Sequence, residues 1–497
     1  MRTSGVLLPV FSLPSPHGIG CFSKEAYEWV DFLKLAGQQY WQILPLGPTS
    51  YGDSPYQSFS TYAGNPYFID LEELVEAGFL TRKEVEACDC GKAARDIDYG
   101  KLYENRMPLL KLAYERSLEK PDPKFTAFWT ENAWWLDDYA LFMAVKDRFD
   151  GVAWNEWAED IRLRWSNAMD YYRRELYYEI EFYSYLQFVF MKQWKKLKNY
   201  ANINGIEIIG DIPIYVAFDS ADAWANPELF QFDAENLPTA VAGCPPDGFS
   251  ADGQLWGNPL YRWDYHRETG FDWWIRRIAY CSELYDVVRI DHFRGFDEYY
   301  SIPYGDTTAR NGHWEKGPGI ALFEAAKNRL GELNIIAEDL GYITDSVKKL
   351  VADSGFPGMK VLEFAFDSRE KSDYLPYTYE KNSVVYTGTH DNETIAGWYA
   401  GLDKSDLKMC TDYMNIDRIP GKEYHWDFIR LAMLSVSDLC VIPIQDYLGL
   451  DNRARINHPS TLGTNWRWRL AKGQLSASLL KEIREMTRIS GRLQNGE

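Results

Sequence analysis

Asp286-Val287-Val288-Arg289-Ile290-Asp291-His292-Phe293-Arg294-Gly295-Phe296 is the stretch on which the fold turns. Val287, Val288 and Ile290 are β-branched residues in a short apolar run, which reads as a buried strand. Asp291 follows at once, and Gly295 allows the chain to turn away. An ionised carboxylate at the end of a buried strand is costly unless something pairs with it. Arg289 lies two residues back on the same face of a strand, with His292 and Arg294 close by. Such pairing keeps Asp291 ionised and nucleophilic at neutral pH. Taken alone, an Asp-x-Arg is more often a structural ion pair.

Two further stretches reverse that reading. Asn334-Ile335-Ile336-Ala337-Glu338-Asp339-Leu340-Gly341 and Ser383-Val384-Val385-Tyr386-Thr387-Gly388-Thr389-His390-Asp391-Asn392 are also apolar β-type runs that end in acid. Carboxylates repeated at strand ends are the pattern of a parallel α/β enzyme, whose site lies at the C-terminal ends of its strands. Strands are expected near residues 5–11, 40–46, 206–211, 286–291, 334–339, 359–366, 383–390 and 439–444. Helical intervals between them make a (β/α)8 barrel, one catalytic domain over residues 1–497. Residues 71–202 turn strongly helical and read as a subdomain inserted between strands two and three. Residues 244–260 hold Pro245-Pro246-Asp247-Gly248-Phe249 and Gln254-Leu255-Trp256-Gly257-Asn258-Pro259, too rich in Gly and Pro for a helix or central strand. They read as an irregular lid loop over the cleft.

Arg289-Ile290-Asp291-His292, Ala337-Glu338-Asp339-Leu340-Gly341 and Gly388-Thr389-His390-Asp391-Asn392 resemble the signature blocks of the α-amylase clan. The wording around them resembles glycoside hydrolase family 77, the amylomaltases or 4-α-glucanotransferases, from Gly5-Val6-Leu7-Leu8-Pro9 to Gly463-Thr464-Asn465-Trp466-Arg467. The resemblance implies retaining transfer of an α-1,4-glucan segment to the 4-hydroxyl of another glucan or of glucose. By the same match Asp291 is the nucleophile, Glu338 the acid and base, and Asp391 the stabiliser of the reacting ring. Two nearby carboxylates, Asp291 and Asp391, are expected to raise the pKa of Glu338 so that it starts protonated. The match also implies sugar contacts from Ser54, Tyr56, Asp211, Arg289, His390 and Asn465, with Phe249 and Trp256 on the lid. A lid that excludes water suits a transferase better than a hydrolase. A retaining α-glucan hydrolase of the same clan is the nearest alternative. A non-catalytic glucan-binding protein is the remote one, since all three acids are present.

Composition narrows the partners. A net charge of -20 without a long basic cluster argues against nucleic acid and anionic membranes, whereas a neutral glucan feels no repulsion. The 19 Trp, 34 Tyr and 25 Phe suit a protein that stacks rings on pyranose faces, although most must serve packing. No cofactor or metal is implied: there is no Asp-x-Asp-x-Asp loop, and Cys88-Asp89-Cys90 lacks a second Cys/His pair. Seven scattered cysteines fit free thiols in a reducing compartment, and no signal peptide or long apolar run is read. The expected location is the cytoplasm.

Overall fold

A computed structural model describes residues 2–50, 52–246, 251–341, 343–417 and 423–494. Eight strands close a parallel barrel: β1 (Thr3–Leu7), β2 (Tyr40–Gln42), β3 (Glu207–Pro213), β4 (Val287–Asp291), β5 (Ile335–Ala337), β6 (Gly358–Val361), β7 (Ser383–Tyr386) and β8 (Leu439–Pro443). Each strand pairs with the next in sequence, and β8 pairs with β1. Strands buried on both faces explain the near-continuous apolar runs of the sequence. Leu7, Ile209, Val287, Ile336, Met359, Val361, Val384, Tyr386 and Val441 form one buried cluster. Their neighbours Val6, Ile208, Val288, Ile290, Ile335, Val385, Cys440 and Ile442 belong to the larger core that takes in the helices. The alternation is the period-two signature of strands with a filled interior and a helix-covered exterior.

Several strands end earlier than their runs. β1 stops at Leu7, and a 3-10 turn occupies Val10–Ser12. β6 stops at Val361 before the 3-10 turn Leu362–Phe364. β7 ends at Tyr386, so His390 and Asp391 stand on the turn beyond it. Apolar character persists past the hydrogen-bonded ladder because the turns above a barrel are themselves buried.

Between β2 and β3 the chain is largely helical. Pro123–Arg148 and Tyr177–Ile203 are its longest helices, with Phe128 and Phe188 5.7 Å apart between them. Asp122 caps the first by accepting the Lys124 N–H, and Pro123 supplies a preset φ at its start. The helical pattern over 167–201 contains a break at Leu176, which separates Ser166–Glu175 from Tyr177–Ile203.

The loops after β3 and β4 meet in a four-stranded antiparallel sheet of Gln254–Pro259, Ala240–Cys244, Glu298–Pro303 and His313–Lys316, in that spatial order. This corrects the reading of residues 244–260 as irregular throughout. Gln254–Pro259 is an edge strand, where Pro259 is tolerated because one side of an edge needs no ladder partner. Residues 247–250, Phe249 among them, lie outside the described residues. No helix among the described residues is long and apolar enough to cross a membrane.

Candidate active site

Strand register sets the first two acids side by side. Ile290 is level with Ala337, so Asp291 and Glu338, one residue further, are level on neighbouring strands. Adjacent strands run about 4.8 Å apart. The Glu338 N–H donates to the Ile290 carbonyl at 3.1 Å, and the Phe293 N–H to the Glu338 carbonyl at 3.0 Å, which fixes that level. The chain leaves β4 through His292, whose φ of 53° is left-handed and rare for a non-glycine. That kink points the His292 N–H at Glu338 Oε2, 2.6 Å away, while the Leu340 N–H donates to Oε1 at 2.9 Å. The sharp kink thus falls on His292, and Gly295 lies in the 3-10 turn Phe293–Phe296 that follows. Gly295 permits close approach, since a Cβ there would sit 2.8 Å from Ile214 Cδ1.

Beneath the acids lies a buried charge network. The Arg289 guanidinium, 3% exposed, donates to both Asp211 oxygens at 2.7 Å and pairs with Asp291 Oδ1 at 3.1 Å. Asp211 is fully buried and also accepts the Tyr56 hydroxyl at 2.6 Å. The same resemblance implies that Asp211 helps hold the site together and that Arg289 donates to Asp291, and both contacts are present. Direct sugar contact by either side chain does not fit their burial, and their reach into the cleft is through Asp291 and Tyr56. The open faces belong to the acids: the Asp291 and Asp391 side chains are 27% and 44% exposed.

Asp391 is held from the side. His390 Nε2 is 3.3 Å from its Oδ2, and Asn457 donates to its Oδ1 at 2.6 Å. Arg455 donates to the Asp391 carbonyl at 2.7 Å. The His390 ring is buried and stacks on Tyr56, centroids 5.0 Å apart at 15°, and Trp466 closes on both at 5.7 and 6.0 Å. Across from this wall, Trp256 meets His292 edge-on at 4.8 Å, and its indole N–H donates to Gln254.

Ser54 and Asn465 are placed differently from the sugar contacts expected of them. The Ser54 hydroxyl accepts the Tyr56 N–H at 3.2 Å and so shapes the turn that presents Tyr56. The Asn465 amide accepts the His458 N–H and donates to the Thr461 carbonyl, clamping its own loop. Its neighbour Trp466 faces the site instead. Asn457 and Arg455, which hold Asp391, are site neighbours that sequence reasoning missed, while Trp466 lies in the Asn465-Trp466 block that the resemblance already placed near the cleft. The first two sit in a loop without a chemical pattern.

Electrostatics separates the three acids. Burial first, then the Asp291 charge, raises Glu338 to about 7, against Arg289 and the two backbone N–H donors. Of the two acids expected to raise it, Asp291 is the one among its leading causes. Burial also raises Asp291 to about 6, with Arg289 opposing and Asp211 and Asp391 adding to the rise. At Asp391 burial is outweighed by His390, Asn457 and Arg289, which bring it down to about 2. Near neutral pH the neighbouring pair thus shares one proton, held by Glu338, beside an ionised Asp391. A carboxylic acid beside a carboxylate at a partly dry cleft can protonate a leaving oxygen while its neighbour attacks.

The family model described as 4-alpha-glucanotransferase, glycoside hydrolase family 77, matches residues 8–475. A 4-alpha-glucanotransferase of Clostridium butyricum is 48% identical, covering 97% of this chain and 99% of the relative. That of Thermus thermophilus is 46% identical and covers 99% of both. The solved amylomaltase of Streptococcus agalactiae in complex with acarbose superposes with a TM-score of 0.97 at 43% identity, covering 99% of this chain and all of that one. A family match over nearly the whole chain, with relatives this similar from end to end, makes the chain a member of glycoside hydrolase family 77, the 4-alpha-glucanotransferases.

Proposed function

We propose that the chain moves a segment of α-1,4-glucan to the 4-hydroxyl of an acceptor glucan or glucose by double displacement at Asp291. Asp291 attacks the anomeric carbon, and the bond to the leaving sugar breaks as Glu338 gives its proton to the leaving oxygen. The glycosyl-aspartate that results is opened by an acceptor hydroxyl, whose proton returns to Glu338, so configuration is retained overall. Asp391 accepts hydrogen bonds from hydroxyls of the reacting ring, and these strengthen as positive charge develops. Arg289 keeps Asp291 ionised from below.

The observation that carries this reading is the level placement of Asp291 and Glu338 with the proton on Glu338. Tyr56 and Trp256, both partly exposed, offer ring surface beside the acids, suited to packing on pyranoses and to excluding water from the intermediate, and the buried Trp466 backs Tyr56 and His390. The Streptococcus agalactiae relative was solved with acarbose, which supports a saccharide in the same cleft here.

The test is incubation with maltotriose and separation of the products by chain length. Transfer gives glucose together with chains longer than maltotriose. Glucose and maltose alone would instead identify a hydrolase.

A further inference from the structure

Behind the turn that presents Asp391 lie two carboxyls with no part in the reaction above. Glu363 stands in the 3-10 turn that ends β6 and is 9% exposed. Its N–H donates to the Thr387 carbonyl at 3.2 Å. Its Oε1 lies so near Gly388 that a Cβ on that residue would sit 2.6 Å away. Asp446, in the short helix Ile444–Tyr447 after β8, accepts the Thr387 hydroxyl at 2.5 Å and the Ile395 N–H at 2.8 Å. The segment 387–395, which carries His390 and Asp391, is therefore gripped from both flanking strands. Glu363 wedges under it from β6, and Asp446 ties it from β8.

The wedge is an uncharged one. The charged groups facing Glu363 are Asp446, Glu393 and Arg455. Two of these are acids, and the Arg455 guanidinium already donates to the Asn457 and Asp391 carbonyls. Glu363 Oε1 has no hydrogen-bond partner among the described residues. A carboxylate so placed would be a buried anion facing two other acids and a guanidinium already engaged elsewhere, which favours the neutral acid. Burial, then Asp446 and Glu393, accordingly push Glu363 well above the usual carboxyl range, against Arg455 and the Asn392 amide. The Asn392 carbonyl oxygen in turn accepts the Thr389 N–H at 2.9 Å and hydroxyl at 2.8 Å, so the wedge and the tip of the turn are linked.

We propose that Glu363 is a positioning residue for the transfer reaction, a neutral side chain whose bulk under Gly388 sets where Asp391 meets the sugar ring. This rests on the role given to Asp391 above. Glu363 touches no reacting atom and acts only through the turn.

Maltotriose disproportionation by the full chain, with kcat and KM measured separately, tests it. Asp391 grips hardest in the transition state, so Glu363→Ala lowers kcat about tenfold while KM stays within about twofold. Glu363→Gln, equal in shape and uncharged, recovers kcat to within about threefold of the wild type. Gly388→Ala drives a Cβ against the wedge and lowers kcat in the wild type, but less in a Glu363→Ala background. Unchanged kcat in Glu363→Ala would overturn the proposal, as would a Gln variant as impaired as the Ala one, or losses that multiply in the double variant. If Glu363→Ala does not fold, the Gln variant and Gly388→Ala decide alone, and a Gly388→Ala enzyme with full kcat refutes the wedge. Asp391→Asn separates the two readings. Full transfer by that variant removes the role of Asp391 itself, whereas its inactivity beside an active Glu363→Ala removes only the role of Glu363.

Discussion

Replacing Arg289 by Met removes the cation from a fully buried Asp211 and from the nucleophile in one step. Met is apolar and of comparable length, and the site is already lined by Met359, whose sulfur lies 3.4 Å from Arg289 Nε. Breaking a buried pair by deleting one partner destabilises by about 3–5 kcal/mol. The ceiling follows from the stranded carboxylate, which can take up a proton. An aspartate in the unfolded chain ionises near pH 3.9, so holding one protonated at pH 7 costs about 4 kcal/mol. At about 2.1 cal/mol/K per residue, the 497 residues unfold with an entropy of about 1 kcal/mol/K, and Tm falls by about 4 °C. The folded variant then carries a proton that the unfolded chain lacks. Its deficit therefore shrinks as pH falls, by about 1.4 kcal/mol per unit, leaving about 1.5 kcal/mol at pH 5. Paired thermal melts of wild type and Arg289→Met at pH 5, 6 and 7 read this directly. Activity falls as well, because Asp291 loses its counter-ion and its pKa rises from about 6, costing about tenfold in rate for each unit by which it passes the assay pH. That second proton steepens the stability deficit between pH 6 and 7 beyond the single-proton slope. A Tm deficit that is absent, or constant across pH 5 to 7, would refute the argument that Arg289 keeps a buried carboxylate ionised.

Three other outcomes follow from the same geometry. The pH profile of kcat/KM is a narrow bell, rising through about 6 as Asp291 ionises and falling through about 7 as Glu338 loses its proton; a flat profile from pH 5 to 8 contradicts the assignment. Glu338→Gln removes a group whose folded pKa, about 7, lies above its unfolded value near 4.3. Wild-type stability from this group is present below the lower value and is lost as pH rises through the upper one, so the variant's Tm advantage grows from pH 5 to pH 8, and melts that shift equally at both values exclude it. Asn457→Ala strips the 2.6 Å donor from Asp391 and lowers kcat about tenfold with little change in KM; a pure KM effect would mean that Asn457 binds ground-state sugar instead.

The barrel was legible because each strand declares itself locally. β-branched runs such as Val287–Ile290 need no partner to be recognised, and the acids that close the runs of β3, β4, β5 and β7 mark the end where a site belongs. Asp291, Glu338 and Asp391 were readable for that reason. The four-stranded sheet was not. Its strands Ala240–Cys244 and Glu298–Pro303 pair across nearly sixty residues, and neither shows a clean alternation. Burial was invisible in the same way: nothing in the letters says that Asp211 lies fully enclosed under Arg289 while Asp391 faces the cleft. Asn457 and Arg455 reach Asp391 from the loop after β8 through contacts more than sixty residues apart in sequence. The turn expected around Gly295 is present as Phe293–Phe296, but its left-handed entry falls on His292, a residue that composition gives no reason to suspect.

The most direct measurement is capture of the glycosyl group on the protein. In Glu338→Gln an α-maltotriosyl fluoride donor can still react, since fluoride leaves without a proton, but the acceptor cannot be deprotonated and the intermediate accumulates. Quenching, digestion and mass spectrometry should find a maltotriosyl mass on the peptide bearing Asp291, and none once Asp291 is also changed to Ala. A glycosylated peptide without Asp291, or rapid turnover with no adduct at all, would contradict the account at its centre.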